Sequence, residues 1–373
     1  MDVALRDLVR RFDGLLGLDR ASTVPSGWYH DARVAELERR AVFGQSWQLV
    51  ARAEQLGNPG DYVTADVAGE PVLVVRGSDG VLRAFFNVCR HRAAKVVPAE
   101  CGNATRLRCN YHGWTYDLEG RLRGTPEFDG VCDFSKDANG LVPMHVEAYG
   151  PFVFVHAGVP RGPLRHELAP IPGVHDDAML DGLEFVERRE YELACNWKVF
   201  VDNYLDGGYH VNAVHPALAG VLDYKNYTVD VYERTSLQKS PLREPDEGRH
   251  DTTAKDVRKG GFAHYWWAYP NLMFNFYPGV LDTNLVLPIA PNRCRVIVDF
   301  WFERGLAKAK PEFVRESIDV GHAIQLEDVG ICEEVQRGLG SRSYETGRFS
   351  ISREGGGYHF HRLLADALAS AVP

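Results

Sequence analysis

The chain has 373 residues, 45% hydrophobic and 25% charged, a composition of globular proteins and a length that accommodates two domains. Its formal net charge of −9, with no clustered basic face, argues against a nucleic-acid partner. No apolar run approaches the roughly 18 residues of a membrane span, and seven cysteines without a disulfide-like pattern suit a reducing, cytoplasmic setting.

The first residues carry Asp2, Arg6 and Asp7 where a secretory signal would be apolar. Leu5, Leu8, Val9, Phe12, Leu15 and Leu16 recur at helical spacing and predict an amphipathic helix packed on its own domain or on a neighbouring subunit. A second helix is predicted over 33–44. Segment 1–44 is thus a helical lead-in that packs with the C-terminal domain.

From Trp47 to Val159 the texture changes to short β-rich runs, at 47–51, 61–67, 71–77, 82–88, 106–111, 115–118 and 152–157. Turn signals at 58–61, 77–80 and 119–120 separate them, so 45–159 reads as a small all-β domain. Inside it stand Cys89-x-His91 and, seventeen residues on, Cys109-x2-His112, both expected at hairpin tips. Two thiolates and two imidazoles are the ligand set of a Rieske [2Fe–2S] centre, with the Cys pair on one iron and the His pair on the other. Tetrahedral zinc uses the same residue types, but zinc fingers usually pair Cys with Cys and His with His, whereas each half here is mixed. Tyr111, Trp114 and Tyr116 would shield the centre from solvent or pack between hairpins. Arg90, Arg92, Arg106 and Arg108 crowd the same loops and offer an electropositive face to an acidic electron donor.

The Cys-x-His, the Cys-x2-His and the trailing Gly113-Trp114-x-Tyr116 resemble the cluster motif of the Rieske non-haem iron oxygenases, catalytic α subunits. That resemblance implies a second, catalytic domain with a mononuclear iron, and the rest of the chain has room for one. A Pro/Gly-rich connection runs through 158–172. After it come a short helix near 175–180, a strand over 184–193, and a helix over 197–215 interrupted at Gly207-Gly208. Strand texture follows over 227–303, then a long helix over 311–338 and a last one over 360–368. Residues 160–373 therefore read as a sheet with a long helix across it, making the whole chain α+β: an all-β Rieske [2Fe–2S] domain plus a helix-packed antiparallel-sheet catalytic domain.

His210 and His215 could supply two imidazoles of a 2-His-1-carboxylate site for Fe(II), whose open face admits oxygen. The long helix offers Asp319, Glu327, Asp328, Glu333 and Glu334 as the carboxylate, and chemistry alone does not choose among them. The wording across Cys195 to Tyr209 is most similar to the choline monooxygenase branch. The family places its acid eight residues before a Gln, which implies Asp328, eight before Gln336, with Glu327 second.

The family also implies a head-to-tail ring, a homotrimer, in which one subunit's cluster lies beside its neighbour's iron. A carboxylate three residues before the first iron His bridges the two in the family. Here that position is Gly207, so Asp206 is the candidate bridge and Asp202 its rival; a plain helix-capping role for Asp206 is the alternative.

The implied reaction takes electrons from NADH through a separate flavin/iron–sulfur reductase or ferredoxin and uses O2 to oxidise a small molecule. No G-x-G-x-x-G fingerprint is evident, and Gly355-Gly356-Gly357 lacks the preceding strand. Aromatics crowd 262–278, either as a cage for a quaternary ammonium or as core packing. An acidic substrate would instead use Arg243 or Lys239. The reading is a monooxygenase or demethylase of a small polar, possibly quaternary ammonium, compound. Ring dihydroxylation shares every ligand, and a bare Rieske electron carrier leaves the C-terminal half unexplained. His359 and His361 read as packing, His264 as packing or substrate contact, and His322 as lying on another helix face from Asp328.

Overall fold

The computed structural model describes residues 3–215, 222–242 and 261–372. The chain forms two compact units: Phe43–Glu167, and Met1–Val42 with Leu168–Pro373. The Pro/Gly-rich connection through Glu167 thus groups with the β unit.

The β unit contains β1 (Gln48–Arg52), β2 (Asp61–Val67), β3 (Glu70–Arg76), β4 (Leu82–Phe86), β5 (Cys101–Asn103), β6 (Leu107–Arg108), β7 (Thr115–Tyr116), β8 (Leu122–Gly124), β9 (Pro143–Tyr149) and β10 (Phe152–His156). One sheet runs β1-β10-β9-β4-β3-β2-β5, and a small one runs β6-β7-β8. Its centre is apolar by sequence: β3 buries Val72 through Val75 without a break, as a strand covered on both faces does. Leu73, Val75, Phe85, Val96, Leu107 and Tyr116 pack into one cluster that includes Cys89 and Cys109.

Three strands escaped the sequence reading, because β5 and β8 are three residues long and β9 begins at a proline. One expectation is corrected. Cys109–His112 lies in the turn between the paired strands β6 and β7, but Cys89–His91 is not at a hairpin tip. It sits on the long connection from β4 to β5, which lie apart in the sheet.

In the other unit α1 (Val3–Arg10) and α2 (Ala32–Ala41) precede β11 (Leu183–Leu193), α3 (Trp197–Tyr204) and α4 (Val211–Val214). Then follow β12 (Thr228–Val231), β13 (Thr235–Pro241), β14 (Phe262–Ala268), β15 (Leu272–Tyr277), β16 (Val280–Ala290) and β17 (Arg293–Glu303), and finally α5 (Pro311–Leu339) and α6 (Gly355–Ala371). The antiparallel sheet runs β11-β17-β16-β15-β14-β13-β12. At 29 residues α5 is about 44 Å long.

The predicted N-terminal helix is shorter than its apolar pattern: it ends at Arg10, and Leu15 is 95% exposed. The last helix starts earlier than predicted, absorbing Gly355-Gly356-Gly357 into its first turn. α2 is fixed to α3 by a buried ion pair, Lys198 Nζ to Glu38 Oε1 at 2.6 Å, with Trp197 Nε1 donating to Glu38 Oε2 at 2.9 Å. Among the described residues no helix is long and apolar enough to cross a membrane. All seven cysteines are free; Cys101 and Cys132 are exposed, and Cys195, Cys294 and Cys332 are buried.

Candidate metal centres

The two cluster half-sites share one backbone design. Cys89 N donates to Ala94 O and Ala93 N to Cys89 O; likewise Cys109 N donates to Trp114 O and Gly113 N to Cys109 O. Ala93 and Gly113, each four residues after its cysteine, take positive φ of 59° and 73° to close these turns. The buried Asn87 staples the first loop at its base: Nδ2 donates to Val97 O, and Oδ1 accepts from Val96 N and Val97 N. Sequence reasoning missed Asn87, since nothing local announces an amide serving residues ten positions away.

Cys89 and Cys109 are buried beneath the loops, while the two imidazoles reach outward with Nδ1 of His91 and Nδ1 of His112 3.1 Å apart. Burial, with the adjacent Cys89, pushes the Cys109 thiol up, so forming thiolates here calls for positive charge beside them. Partial burial, His112 and Arg92 push His91 down, toward the neutral imidazole that a metal needs. Two inward sulfurs and two converging ring nitrogens fit the [2Fe–2S] ligand set.

Trp114 stacks on His91 with ring centroids 4.8 Å apart and planes 8° apart, and Phe128 meets both rings edge-on. Tyr116, fully buried, accepts from Arg90 N at 3.0 Å and places its hydroxyl 3.5 Å from Cys89 Sγ. Tyr111 lies against His112 at 3.7 Å but is 59% exposed, so it shields little. Arg90, Arg92, Arg106 and Arg108 are all exposed.

The second constellation lies between α3, α4 and α5. Asn196 caps α3 by accepting from Lys198 N, and its own N–H donates to Gln336 Oε1 at 2.8 Å, while Ala194 N donates to Glu333 Oε1 at 2.9 Å. These bonds fix the register of α5 against α3. Two turns before Gln336, Asp328 then meets Asn203, whose Nδ2 donates to Asp328 Oδ1 at 2.7 Å. The Asp-to-Gln spacing thereby acquires a physical reason.

The ligand-type atoms of His210, His215 and Asp328 all lie within 4.8 Å of one another. Nε2 of His210 is 3.0 Å from Nε2 of His215, which is 3.1 Å from Asp328 Oδ1. Each ring turns Nδ1 to another carboxylate, His210 to Asp206 Oδ2 and His215 to Glu327 Oε2, both at 2.6 Å. A proton held at Nδ1 leaves both Nε2 lone pairs converging, an arrangement that needs a cation between them. Burial opposes charge on His215, but Asp328 and Glu327 outweigh it and raise its pKa above the ordinary histidine value. The site is built for positive charge and fits a divalent metal.

Glu327, the second choice as ligand, therefore stands behind His215, and Asp319 pairs with Arg189 instead. Asp206 also accepts from Tyr209 N and His210 N, so it caps the turn and holds the ring at once. Asp202 faces elsewhere: Tyr29 Oη donates to its Oδ2 at 2.6 Å, and His361 Nε2 lies 2.8 Å from its Oδ1. The family's acid position is closed to any side chain here. Gly207 has φ of 70°, and a Cβ on it would stand 2.1 Å from Arg353 O.

A pocket with a cavity volume of about 120 Å³ opens beside these groups, walled by Phe200, Tyr204, Tyr227, Tyr265, Tyr277 and Phe300 among others. Of the aromatics between 262 and 278 only Tyr265 and Tyr277 face it; Trp266, Trp267, Phe274 and Phe276 are buried in packing. His264 pairs with His175 at 3.3 Å rather than lining the pocket, and His322 meets Tyr191 Oη at 2.8 Å on the sheet side of α5. Lys239 lies over the Phe262 ring, outside the wall, and Arg243 falls outside the described residues.

Residues 46–135 match the Rieske [2Fe-2S] domain, and residues 180–370 match the ring hydroxylating alpha subunit (catalytic domain). The chain belongs to the Rieske non-haem iron oxygenase α subunits. Within this family it is 37% identical over 370 residues to a chloroplastic choline monooxygenase of Arabidopsis thaliana, covering 96% of this chain and 85% of that protein. It is 31% identical over 363 residues to the carnitine monooxygenase oxygenase subunit of Escherichia coli strain K12, covering 92% and 93%. A solved quaternary ammonium Rieske monooxygenase in complex with L-carnitine superposes with a TM-score of 0.79 at 29% identity, covering 97% of this chain and 98% of that one. Naphthalene 1,2-dioxygenase from Rhodococcus sp., at 21% identity and a TM-score of 0.78, shares the fold. As such an α subunit, the protein is an oxygenase that carries a Rieske cluster and a mononuclear iron, uses O2 and receives its electrons from a reductase.

Proposed function

We propose that this oxygenase monooxygenates a small quaternary ammonium compound, either by hydroxylating a carbon beside the nitrogen or by removing an N-methyl group. Cys89 and Cys109 would hold one iron of the cluster and His91 and His112 the other; His210, His215 and Asp328 would hold the mononuclear iron. When bound, the cluster supplies stored electrons and the ferrous ion the open position for O2. Asp206 and Glu327 orient the two imidazoles, and Asn203 holds Asp328. The aromatic wall keeps water from the reacting carbon and grips the methyl groups.

The observation that carries the substrate class is the wall itself. It presents six aromatic rings and, among its described residues, no lysine or arginine. A methylated ammonium has no N–H to donate, so ring faces and negative charge are what can recognise it. A ligand bearing a carboxylate finds no cation in the described wall, which favours a choline-like amino alcohol over an acid.

We further read the working form as a cytoplasmic homotrimer served by a separate flavin/iron–sulfur reductase or ferredoxin, with Asp206 bridging to a neighbouring copy's cluster. Support comes from the Asp206–His210 contact and the exposed His91/His112 edge. The test is NADH-coupled turnover with a surrogate reductase on choline, glycine betaine, carnitine and aromatic acids, read by product mass. Gain of one oxygen or loss of a methyl from an ammonium is expected. Two oxygens added to a ring would replace this reading with dihydroxylation.

A further inference from the structure

We propose that Gln325 is the hydrogen-bond donor that takes an oxygen atom of the substrate, selecting an ammonium compound that carries a hydroxyl over one that carries only alkyl groups. This rests on the quaternary ammonium reading and assigns the polar half of recognition to one side chain. Gln325 and Asp328 both line the pocket from α5, and a spacing of three residues puts them on one face of that helix. The amide is thus one turn from the acid at the metal centre. Opposite α5 lies the sheet that floors the pocket. Asn275 on β15 pairs with Asp282 on β16, and Asn284 follows two residues along β16, so both asparagines rise from the same face.

Five side-chain amides line the pocket, and among the described residues four of them use their N–H groups. Asn203 Nδ2 donates to Asp328 Oδ1 at 2.7 Å and Gln238 Nε2 to Tyr204 O at 2.6 Å. The other two belong to a directional chain. Tyr204 Oη donates to Asn275 Oδ1, Asn275 Nδ2 to Asn284 Oδ1, and Asn284 Nδ2 to Gln325 Oε1, at 2.9, 2.8 and 3.2 Å. Each group passes its donor to the next carbonyl oxygen, so the chain ends on a spare donor. Gln325 is 5% exposed, and its buried Nε2 has no acceptor among the described residues.

A buried donor without an acceptor is costly, and folded proteins keep few of them. At the wall of a binding pocket, the acceptor is what a ligand brings. The described wall holds no lysine or arginine, so a neutral oxygen suits this donor better than a carboxylate, whose charge would stay uncompensated. A hydroxyl on a short alkyl arm of a trimethylated nitrogen supplies that oxygen and leaves the nitrogen to the ring faces. An analogue with a methyl in place of the hydroxyl strands the amide, and a site built around a hydrogen bond discriminates against it.

The experiment compares choline with propyltrimethylammonium, its isostere with a methyl for the hydroxyl, by anaerobic calorimetry on the protein loaded with cluster and iron. Both ligands are cations of nearly one size, so their ratio isolates the oxygen. Wild type should bind choline about tenfold more tightly, as one hydrogen bond to a buried neutral group supplies. Gln325→Met keeps the length of the side chain without its N–H groups and should bring the two ligands within about twofold. A Gln325→Met protein that keeps the preference overturns the assignment. So does a wild type that binds both cations equally, a comparison that needs no folded variant. Either result leaves the ammonium reading standing, because both ligands bear the ammonium. A wild type that binds neither cation sinks that reading, and the assignment with it. Glycine betaine, whose oxygens are anionic, should bind more weakly than choline, and tighter binding overturns the choice of a neutral oxygen.

Discussion

Glu327 Oε2 lies 2.6 Å from Nδ1 of His215, on the opposite side of the ring from the nitrogen that faces Asp328. One helix thus supplies two neighbouring acids with different tasks: Asp328 at the converging nitrogens, Glu327 fixing which nitrogen is free. Carboxylates in this outer position are usually worth about 10–100-fold in metal affinity or activity. Glu327→Ala should therefore weaken iron binding by about that factor, with Glu327→Gln falling between it and wild type. Anaerobic iron titration of the cluster-loaded protein measures it, and unchanged affinity in the Ala variant would refute the role.

Asp206→Asn should keep the visible cluster and the full iron content yet lower turnover more than about 100-fold, beyond the ordinary cost of an outer carboxylate. Iron analysis and reductase-coupled rates on one preparation decide it. A rate near wild type would leave Asp206 as a cap only.

Gly207→Ala asks for a side chain where the nearest backbone atom would be 2.1 Å away, at a φ of 70°. The turn carrying Asp206 and His210 has to move, at a cost of about 1–3 kcal/mol or more. Iron content should fall from about three per chain to about two while the cluster's absorption stays, because the β unit is untouched.

Lys198→Met would strand the buried Glu38 carboxylate, since Lys198 and Glu38 are 0% and 2% exposed. Removing one partner of such a pair typically costs about 3–5 kcal/mol. Chemical denaturation should show that loss, and adding Glu38→Leu should recover part of it.

His175 is buried against Phe276, with ring centroids 3.6 Å apart, and burial, then His264, pushes its pKa down to about 4 from an ordinary 6.5. The unfolded chain therefore takes up its proton first as pH falls. Stability present above pH 6.5 is lost between about 6.5 and 4, by up to about 3 kcal/mol at 1.36 kcal/mol per unit. Burial pushes His359 down to about 4 as well, so it adds in the same direction. Denaturation midpoints measured from pH 7 to 4 should fall, and His175→Phe should flatten the slope. An unchanged slope would remove His175 from the account.

What the sequence alone determined about this protein is whatever its chemistry writes locally. The cluster half-sites are each a cysteine and a histidine two or three residues apart on one turn, so their convergence needs little beyond the turn itself. His210 and His215 flank a single short helix and were legible for the same reason. A 29-residue amphipathic helix and an antiparallel sheet likewise declare themselves by period.

Residue chemistry left five acids of the long helix open and only the family spacing pointed to Asp328; the tertiary structure supplies the physical reason, because Asp328 is brought to Asn203 by bonds from Gln336 and Glu333 to the start of α3, across 125 residues of chain. It decided, too, that Glu327 stands behind a ring, that Asp202 belongs to Tyr29 and His361, and that Trp266 and Trp267 are core while Tyr265 and Tyr277 face the pocket. Alternation along a strand separates two faces but does not say which one a helix will cover. Only the pairing of five strands lines up Gln238, Tyr265, Asn275, Asp282 and Phe300, and only the helices laid over that row make it the floor of a pocket.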